Sequence, residues 1–150
     1  MLDDILLQVN KPSRYLGNEW NVIKKDFDNA YIKIALCFPD IYEVGMSNFG
    51  MRILYGVLND ISDVVCERVF HPALDMELLM RSRPLKLFTL ESQRKLTDFD
   101  IIGFSLGYEL NYTNMLNILI PHKSRALLGI SFCRHFADKL FITNKEWQNS

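Results

Sequence analysis

The stretch YIKIALCFPDIYEVGMSNFGMRILYGVLND, residues 31–60, decides the fold. Its first eight residues, YIKIALCF, are almost wholly apolar, and Pro39-Asp40 follows at once. A short apolar run stopped by Pro predicts a strand, because Pro removes a ladder donor. From Ser47 the pattern changes period. Gly50, Ile53, Leu54, Val57 and Leu58 fall at i, i+3, i+4, i+7 and i+8, the spacing of one helix face. Ser47 is the expected N-cap and Asn59-Asp60 the expected stop. The stretch therefore reads as strand, polar corner, helix.

The same order recurs downstream. Residues 64–70 predict a second strand, and residues 74–80 a short helix with Asp75 early in it. Residues 86–90 predict a short third strand or an extended loop. DIIGFSL at 100–106 is the nearly continuous apolar run of a strand covered on both faces. Tyr112, Met115, Leu116 and Leu119 then repeat the helical spacing, with Thr113 near the start and Pro121 as the stop. Strands alternating with helices imply crossover connections. The expected fold is α/β, a three-layer Rossmann-like or flavodoxin-like parallel sheet, incomplete at the C-terminus. Residues 1–30 read as an N-terminal arm. Residues 3–9 form a helical turn or two, with Ile5, Leu6 and Val9 on one face. Residues 11–21 form an ordered loop, because Tyr15, Leu16 and Trp20 are costly to leave in water.

The chain has 150 residues, 49% of them hydrophobic and 23% charged, which suits one folded domain and excludes a disordered one. A formal net charge of −1 gives no electrostatic reason to expect nucleic acid or an anionic membrane as partner. No apolar run reaches the roughly 18 residues that span a bilayer. The start MLDDILLQVNKPSRY has acids where a secretory signal has bases, so a cytoplasmic location is expected. Cys37, Cys66 and Cys133 are far apart, with no CxxC and no spacing that would hold zinc or iron. Cys37 and Cys66 lie inside apolar strands and read as core.

Two corners carry the polar chemistry. YEVGMSN at 42–48 and YELNYTN at 108–114 share Tyr, Glu, an aliphatic residue, a hydroxyl residue and Asn in register. Each follows a predicted strand and precedes a predicted helix. In a sheet ordered 2-1-3 the two corners leave strands 1 and 3 at the switch point, where such sheets bind ligands. The candidate binding residues are Asp40, Tyr42, Glu43, Gly45, Ser47 and Asn48 on one side. On the other they are Ser105, Gly107, Tyr108, Glu109 and Thr113. Glu43 and Glu109 accept hydrogen bonds, and Tyr42, Tyr108 and Tyr112 offer flat faces with polar tips. Gly45 and Gly107 allow close backbone approach. Ser47 and Thr113 cap helices whose first amides attract anions. The bland reading is capping and loop bracing, which these residue types do in any protein. No GxGxxG and no P-loop is present. His71, with Asp75 and Glu77 near it, and Cys66, beside Glu67 and Arg68, are candidates for a small enzyme. Neither has the partners of a catalytic set.

Several segments together resemble one family. ILLQVNKPSRYLGNEWN, IALCFPDIYEVGMSNFGMRILYGVLN, DVVCERVFHPALDMELLMR, LFTLES and FDIIGFSLGYELNYTNMLN are similar to the N-terminal region of large bacterial radical S-adenosylmethionine (SAM) proteins. The resemblance runs from Ile5 to Asn117. It implies that residues 31–120 are a cobalamin-binding-like Rossmann-type domain that precedes a radical SAM barrel. In that barrel a CxxxCxxC trio holds a four-iron cluster (4Fe-4S) whose open iron binds SAM. This chain has no such trio. The resemblance therefore implies a leading domain, inactive alone, whose partner is the barrel, as a missing C-terminal part or a separate chain. Cobalamin is the cofactor it implies for the domain itself. Corrinoid domains with a protein axial ligand carry DxHxxG after the first strand; here the loop reads DIYEVG, with Tyr42 in the His position. Residues 121–150 depart from the family, as a truncated or frame-shifted gene or a rebuilt tail would. Residues 126–133 are expected to supply a fourth strand. A stand-alone ligand-binding module acting with a partner chain is the second reading, and a small enzyme using His71 or Cys66 the third.

Overall fold

The computed structural model describes residues 2–83 and 85–119 in full and residues 139–143 as backbone. Strand β1 is Ile32–Phe38. The corner after it holds a short helix, α2 (Tyr42–Ser47), and a break at Asn48 before α3 (Phe49–Asp60). The cap expected at Ser47 is one residue later: Asn48 Oδ1 accepts the Met51 N–H at 2.9 Å. Ser47 ends α2, its hydroxyl donating to the Val44 carbonyl at 2.7 Å. The first amides of α3 need an acceptor at the break, and Asn48 is the residue that stands there.

Strand β2 (Val64–Phe70) leads into α4 (Leu74–Ser82). Strand β3 (Ile101–Ser105) leads into α5 (Leu110–Leu119), and β4 is Lys139–Thr143. The sheet order is β2-β1-β3-β4. β1 is parallel to both neighbours, with Ile34 opposite Cys66 and Ile101. This is the 2-1-3 order expected from the sequence. β4 runs antiparallel to β3, so the sheet is parallel only in its first three strands. Such a reversed edge strand is common on α/β sheets. The predicted strand at 126–133 lies outside the described residues. Residues 86–90 are an extended loop with one bridge, Phe88 to Lys95.

Alternation along the strands builds two cores. Ala35, Cys37, Val65, Val69, Ile102 and Phe104 face Met115 and Ile118 of α5. Ile34, Leu36, Phe38, Cys66 and Phe70 face Met51 and Tyr55 of α3. A third cluster joins the arm to the body. Ile5 and Leu6 of α1 (Leu2–Leu6), with Val9 and Tyr15, pack on Met76 of α4 and on Phe88. Each such large side chain contributes roughly 1.5–3 kcal/mol by leaving water. Gly17 lets the arm pass the 87–92 loop: its φ is +58°, and a Cβ there would lie 2.0 Å from the Leu90 carbonyl oxygen. The loop expected at 11–21 is ordered through Tyr15, while Trp20 is 99% exposed, against expectation.

Both central helices bury only part of the apolar stripe that the spacing suggested: Met115 is buried, and Leu54, Leu58 and Leu119 pack at the margins of the cores. On α3 the buried residues are Met51, Tyr55 and Asn59, while Ile53 and Val57 face out. On α5 they are Asn111, Met115 and Ile118, while Tyr112 and Leu116 face out. α3 also serves the margin of the sheet. β2 is an edge strand, and its outward backbone groups need partners. Asn59 supplies them at Cys66, accepting its N–H at 3.0 Å and donating to its carbonyl at 2.9 Å. The 87–92 loop does the same at Arg68, whose N–H donates to Glu91 Oε2 at 2.8 Å and whose carbonyl accepts from Leu90 at 2.9 Å. Lys25 Nζ donates to the Val64 carbonyl at 2.8 Å.

Candidate functional site

The crevice between the ends of β1 and β3 is the predicted site, and the chain brings its two corners together. The Tyr108 hydroxyl donates to the Asp40 carboxylate, and Asn114 Nδ2 donates to the Pro39 carbonyl at 2.9 Å. The bond to Asp40 holds the Tyr108 phenol above its ordinary pKa. Ser105 ends β3 opposite Lys139, and Gly107 and Glu109 are exposed beyond it. Thr113 bonds within its own helix, to the Leu110 carbonyl at 2.8 Å.

The rest of the first corner faces the arm rather than β3. Glu43 Oε1 accepts from Arg14 Nη2 at 2.8 Å and from Lys11 Nζ at 3.3 Å. Those cations, Arg14 first, hold the Glu43 carboxyl below its usual range. The Tyr42 hydroxyl donates to Glu19 Oε1 at 2.8 Å, and its ring meets Phe70 edge-on at 5.5 Å. Burial and the bond to Glu19 push the Tyr42 phenol up to about 12. Gly45 is buried against the Phe70 ring, where a Cβ would come within 2.2 Å. Its missing side chain serves that packing. Asp40 and Tyr108 therefore meet, while Tyr42, Glu43, Gly45 and Ser47 brace the arm, Phe70 and α2.

Beneath the second corner lies a residue that the sequence reading passed over. Asn111, in the first turn of α5, is fully buried, and neither atom of its amide has a hydrogen-bond partner among the described residues. Its Nδ2 lies 3.9 Å from where a Cβ on Gly107 would stand. A buried amide left unpaired costs roughly 1–3 kcal/mol, which native chains rarely carry without a reason. The only hint in the sequence was Asn at a position of the helical pattern flanked by apolar residues.

A second polar constellation was also hidden, because its members are distant in sequence. Arg68 is 6% exposed, on the α3 face of β2. Its Nε donates to Glu91 Oε1 at 2.6 Å, its Nη2 to Glu19 Oε2 at 3.0 Å and its Nη1 to Met46 Sδ at 3.1 Å. The guanidinium also lies over the Tyr55 ring, 4.6 Å from the centroid. Burial opposes its charge, and Glu91 with Glu19 outweighs that effect. Burial likewise pushes the Glu91 carboxyl up, against the pull of Arg68. The sequence signal was a charged pair, Glu67-Arg68, inside an otherwise apolar strand.

His71 follows β2 with its N–H bonded to the Phe38 and Asp40 carbonyls at 3.3 and 2.9 Å. Asp75 serves the arm, accepting the Asn10 N–H at 2.7 Å. Cys66 is buried, and burial pushes its thiol up to about 12, which does not suit a nucleophile. Burial raises the Cys37 thiol further. The two cysteines face opposite cores, so one ion cannot take both as ligands. Among the described residues no group of three or more Cys, His, Asp or Glu could hold a metal. Among them, too, no helix is long and apolar enough to cross a membrane.

No curated protein and no solved structure matches the chain. A protein family does: radical SAM proteins, N-terminal, over residues 50–125. That span is just over half of the chain. It enters at the start of α3 and takes in β2, the Arg68 strand, β3, the second corner and α5. The chain therefore belongs to the family of N-terminal regions of radical SAM proteins.

Proposed function

We propose that the chain is the leading, cobalamin-binding-type module of a radical SAM protein, binding its ligand in the β1–β3 crevice and leaving radical chemistry to a barrel. The iron–sulfur cluster and SAM belong to that barrel, whether it continues this chain or is a separate one. Cys37 and Cys66 do not fit a cluster, since both are buried, held as thiols and turned to opposite faces of the sheet. A corrinoid held here takes no axial ligand from DIYEVG, because Tyr42 is a phenol engaged with Glu19. The module grips it by its periphery. The ligand's place is between residues 40–48 and 105–114, with Asp40, Gly107, Tyr108 and Glu109 nearest to it.

The observation that carries this reading is the Asn111 amide. Among the described residues it is the one buried side chain with unmade hydrogen bonds, and it lies at the switch point of the sheet. A ligand with amide groups, as a corrinoid has, would satisfy both its donor and its acceptor by displacing the residues that now cover Asn111. Asn111→Leu tests this. The variant removes the unpaired amide, so the free chain should gain about 1–2 kcal/mol in urea denaturation. It should at the same time lose the spectral shift of bound hydroxocobalamin. Glu109→Ala should weaken that shift, and His71→Ala should leave it unchanged. Loss of the shift in His71→Ala alone would move the site to the end of β2. An Asn111→Leu chain that binds like the parent would end the reading.

A further inference from the structure

On the α3 side of the sheet, away from the crevice, the chain forms a wide-mouthed cavity of about 490 Å³. Residues 19–23 of the arm form one wall, α2 and α3 the others, and the end of β2 the floor. That volume lies in the range of small-molecule sites, roughly 300–1,000 Å³. Its mouth is unusual. Trp20, Phe49 and Ile53 line it, and they are 99%, 71% and 51% exposed. Three large apolar side chains around one opening are a concentration of apolar surface that a folded chain seldom leaves in water.

The floor has the opposite character. Arg68 carries five N–H donors. One goes to Glu91, one to Glu19, and Nη1 has only the Met46 thioether, a weak acceptor. Methionine repacks easily, so a carbonyl oxygen entering the cavity would displace the sulfur at little cost and give Nη1 a better partner. Beside it, Glu19 spends one bond on each oxygen, to Tyr42 and to Arg68, and a carboxylate has about four acceptor sites. The floor thus presents a donor next to an acceptor. Charge selects further. The guanidinium groups of Arg52 and Arg68 balance the carboxylates of Glu19 and Glu91, so the cavity has no net charge to recruit an ion, and an uncharged group with a C=O beside an N–H meets both Arg68 and Glu19.

We infer that this cavity binds an uncharged, flat heteroaromatic ring bearing an imide or lactam edge. The edge meets Arg68 and Glu19, and the ring faces lie against Trp20 and Phe49. The inference is independent of the crevice and of any corrinoid.

Riboflavin, an uncharged imide-bearing ring with its own fluorescence, is the probe, titrated into the full chain. Its emission should be quenched on binding. 3-Methylriboflavin, whose imide N–H is blocked, should bind about tenfold more weakly. Trp20→Ala and Ile53→Ala, both at exposed positions and so safe for the fold, should each weaken riboflavin about tenfold. Leu7→Ala, an exposed apolar residue elsewhere, should not. Hydroxocobalamin should not displace riboflavin, since the two sites are separate. Absence of binding by a chain shown to be folded by circular dichroism would overturn the inference. So would equal binding of the methylated probe, insensitivity to Trp20→Ala, an equal loss in Leu7→Ala, or displacement by hydroxocobalamin.

Discussion

The Tyr108 hydroxyl donates to the carboxylate of Asp40, a residue 68 positions earlier in the chain. Both stand in loops that leave neighbouring parallel strands, so this bond and the Asn114–Pro39 bond lace the crevice shut at its rim. Tyr108→Phe keeps the ring and removes the donor. Because Tyr108 is well exposed, the loss of stability should stay within about 1 kcal/mol by urea denaturation. If the crevice binds ligand, hydroxocobalamin association in a stopped-flow trace should become faster in this variant, because the lace is gone. A large loss of stability would make the pair structural instead.

Arg68 is held by two carboxylates inside the protein. Arg68→Met leaves Glu91, whose side chain is 2% exposed, without its counter-charge. Breaking such a pair from one side costs about 3–5 kcal/mol. The double variant Arg68→Met with Glu91→Gln should recover a good part of that. Denaturation of the two singles and the double forms the cycle, and additive losses would mean that the pair is not coupled.

Asn59→Leu keeps the branching at Cγ and removes both bonds to Cys66. The backbone N–H and C=O of a buried strand margin are then left unmade, at a cost of about 2–4 kcal/mol. The freed margin should also show itself as concentration-dependent light scattering near the unfolding midpoint. Asn59→Asp should accept the Cys66 N–H but not donate to its carbonyl, and should fall between the two.

The arm is tied down by carboxylates that ionise more readily in the folded chain than in the unfolded one. The Asn10 N–H holds the Asp75 carboxyl below its ordinary range, and Arg14 does the same for Glu43. Depressed carboxylates stabilise the fold above their unfolded pKa, about 4, and lose that contribution as pH falls through the folded value. Protection of the Asn10 amide against hydrogen exchange, corrected for intrinsic rate, should therefore be high at pH 7 and drop below about pH 4. Asp75→Ala should lower it at pH 7 and flatten the response.

The order of strands and helices was legible because the strands are short apolar runs and the corners between them are polar. The parallel pairing followed from the crossovers, and the 2-1-3 order from the flavodoxin-like fold class they suggest. The inner faces of α3 and α5 were legible only in part, through Leu54, Leu58, Met115 and Leu119. Both helices carry apolar residues around most of their girth, so periodicity did not single out one side. The inner face of α3 carries Asn59, whose amide meets the outward groups of Cys66, beside Met51 and Tyr55 in the core. Asp40 and Tyr108 were readable as neighbours, since both belong to the corners of the switch point. Glu43 and Tyr42 were readable as polar but not as engaged, because their partners Arg14 and Glu19 come from an arm whose path no local pattern records. Arg68 stayed hidden for the same reason, its carboxylates standing 23 and 49 positions away.

The capping of β2 closes one margin of the sheet. Side chains and a loop of the same chain occupy the outward groups at Val64, Cys66 and Arg68, so no further strand can be laid against that margin. Any lengthening of the sheet at this margin, by fusion, circular permutation or a donated peptide, would first have to displace those bonds. An engineer joining another domain to this one can treat the β2 side as a finished wall.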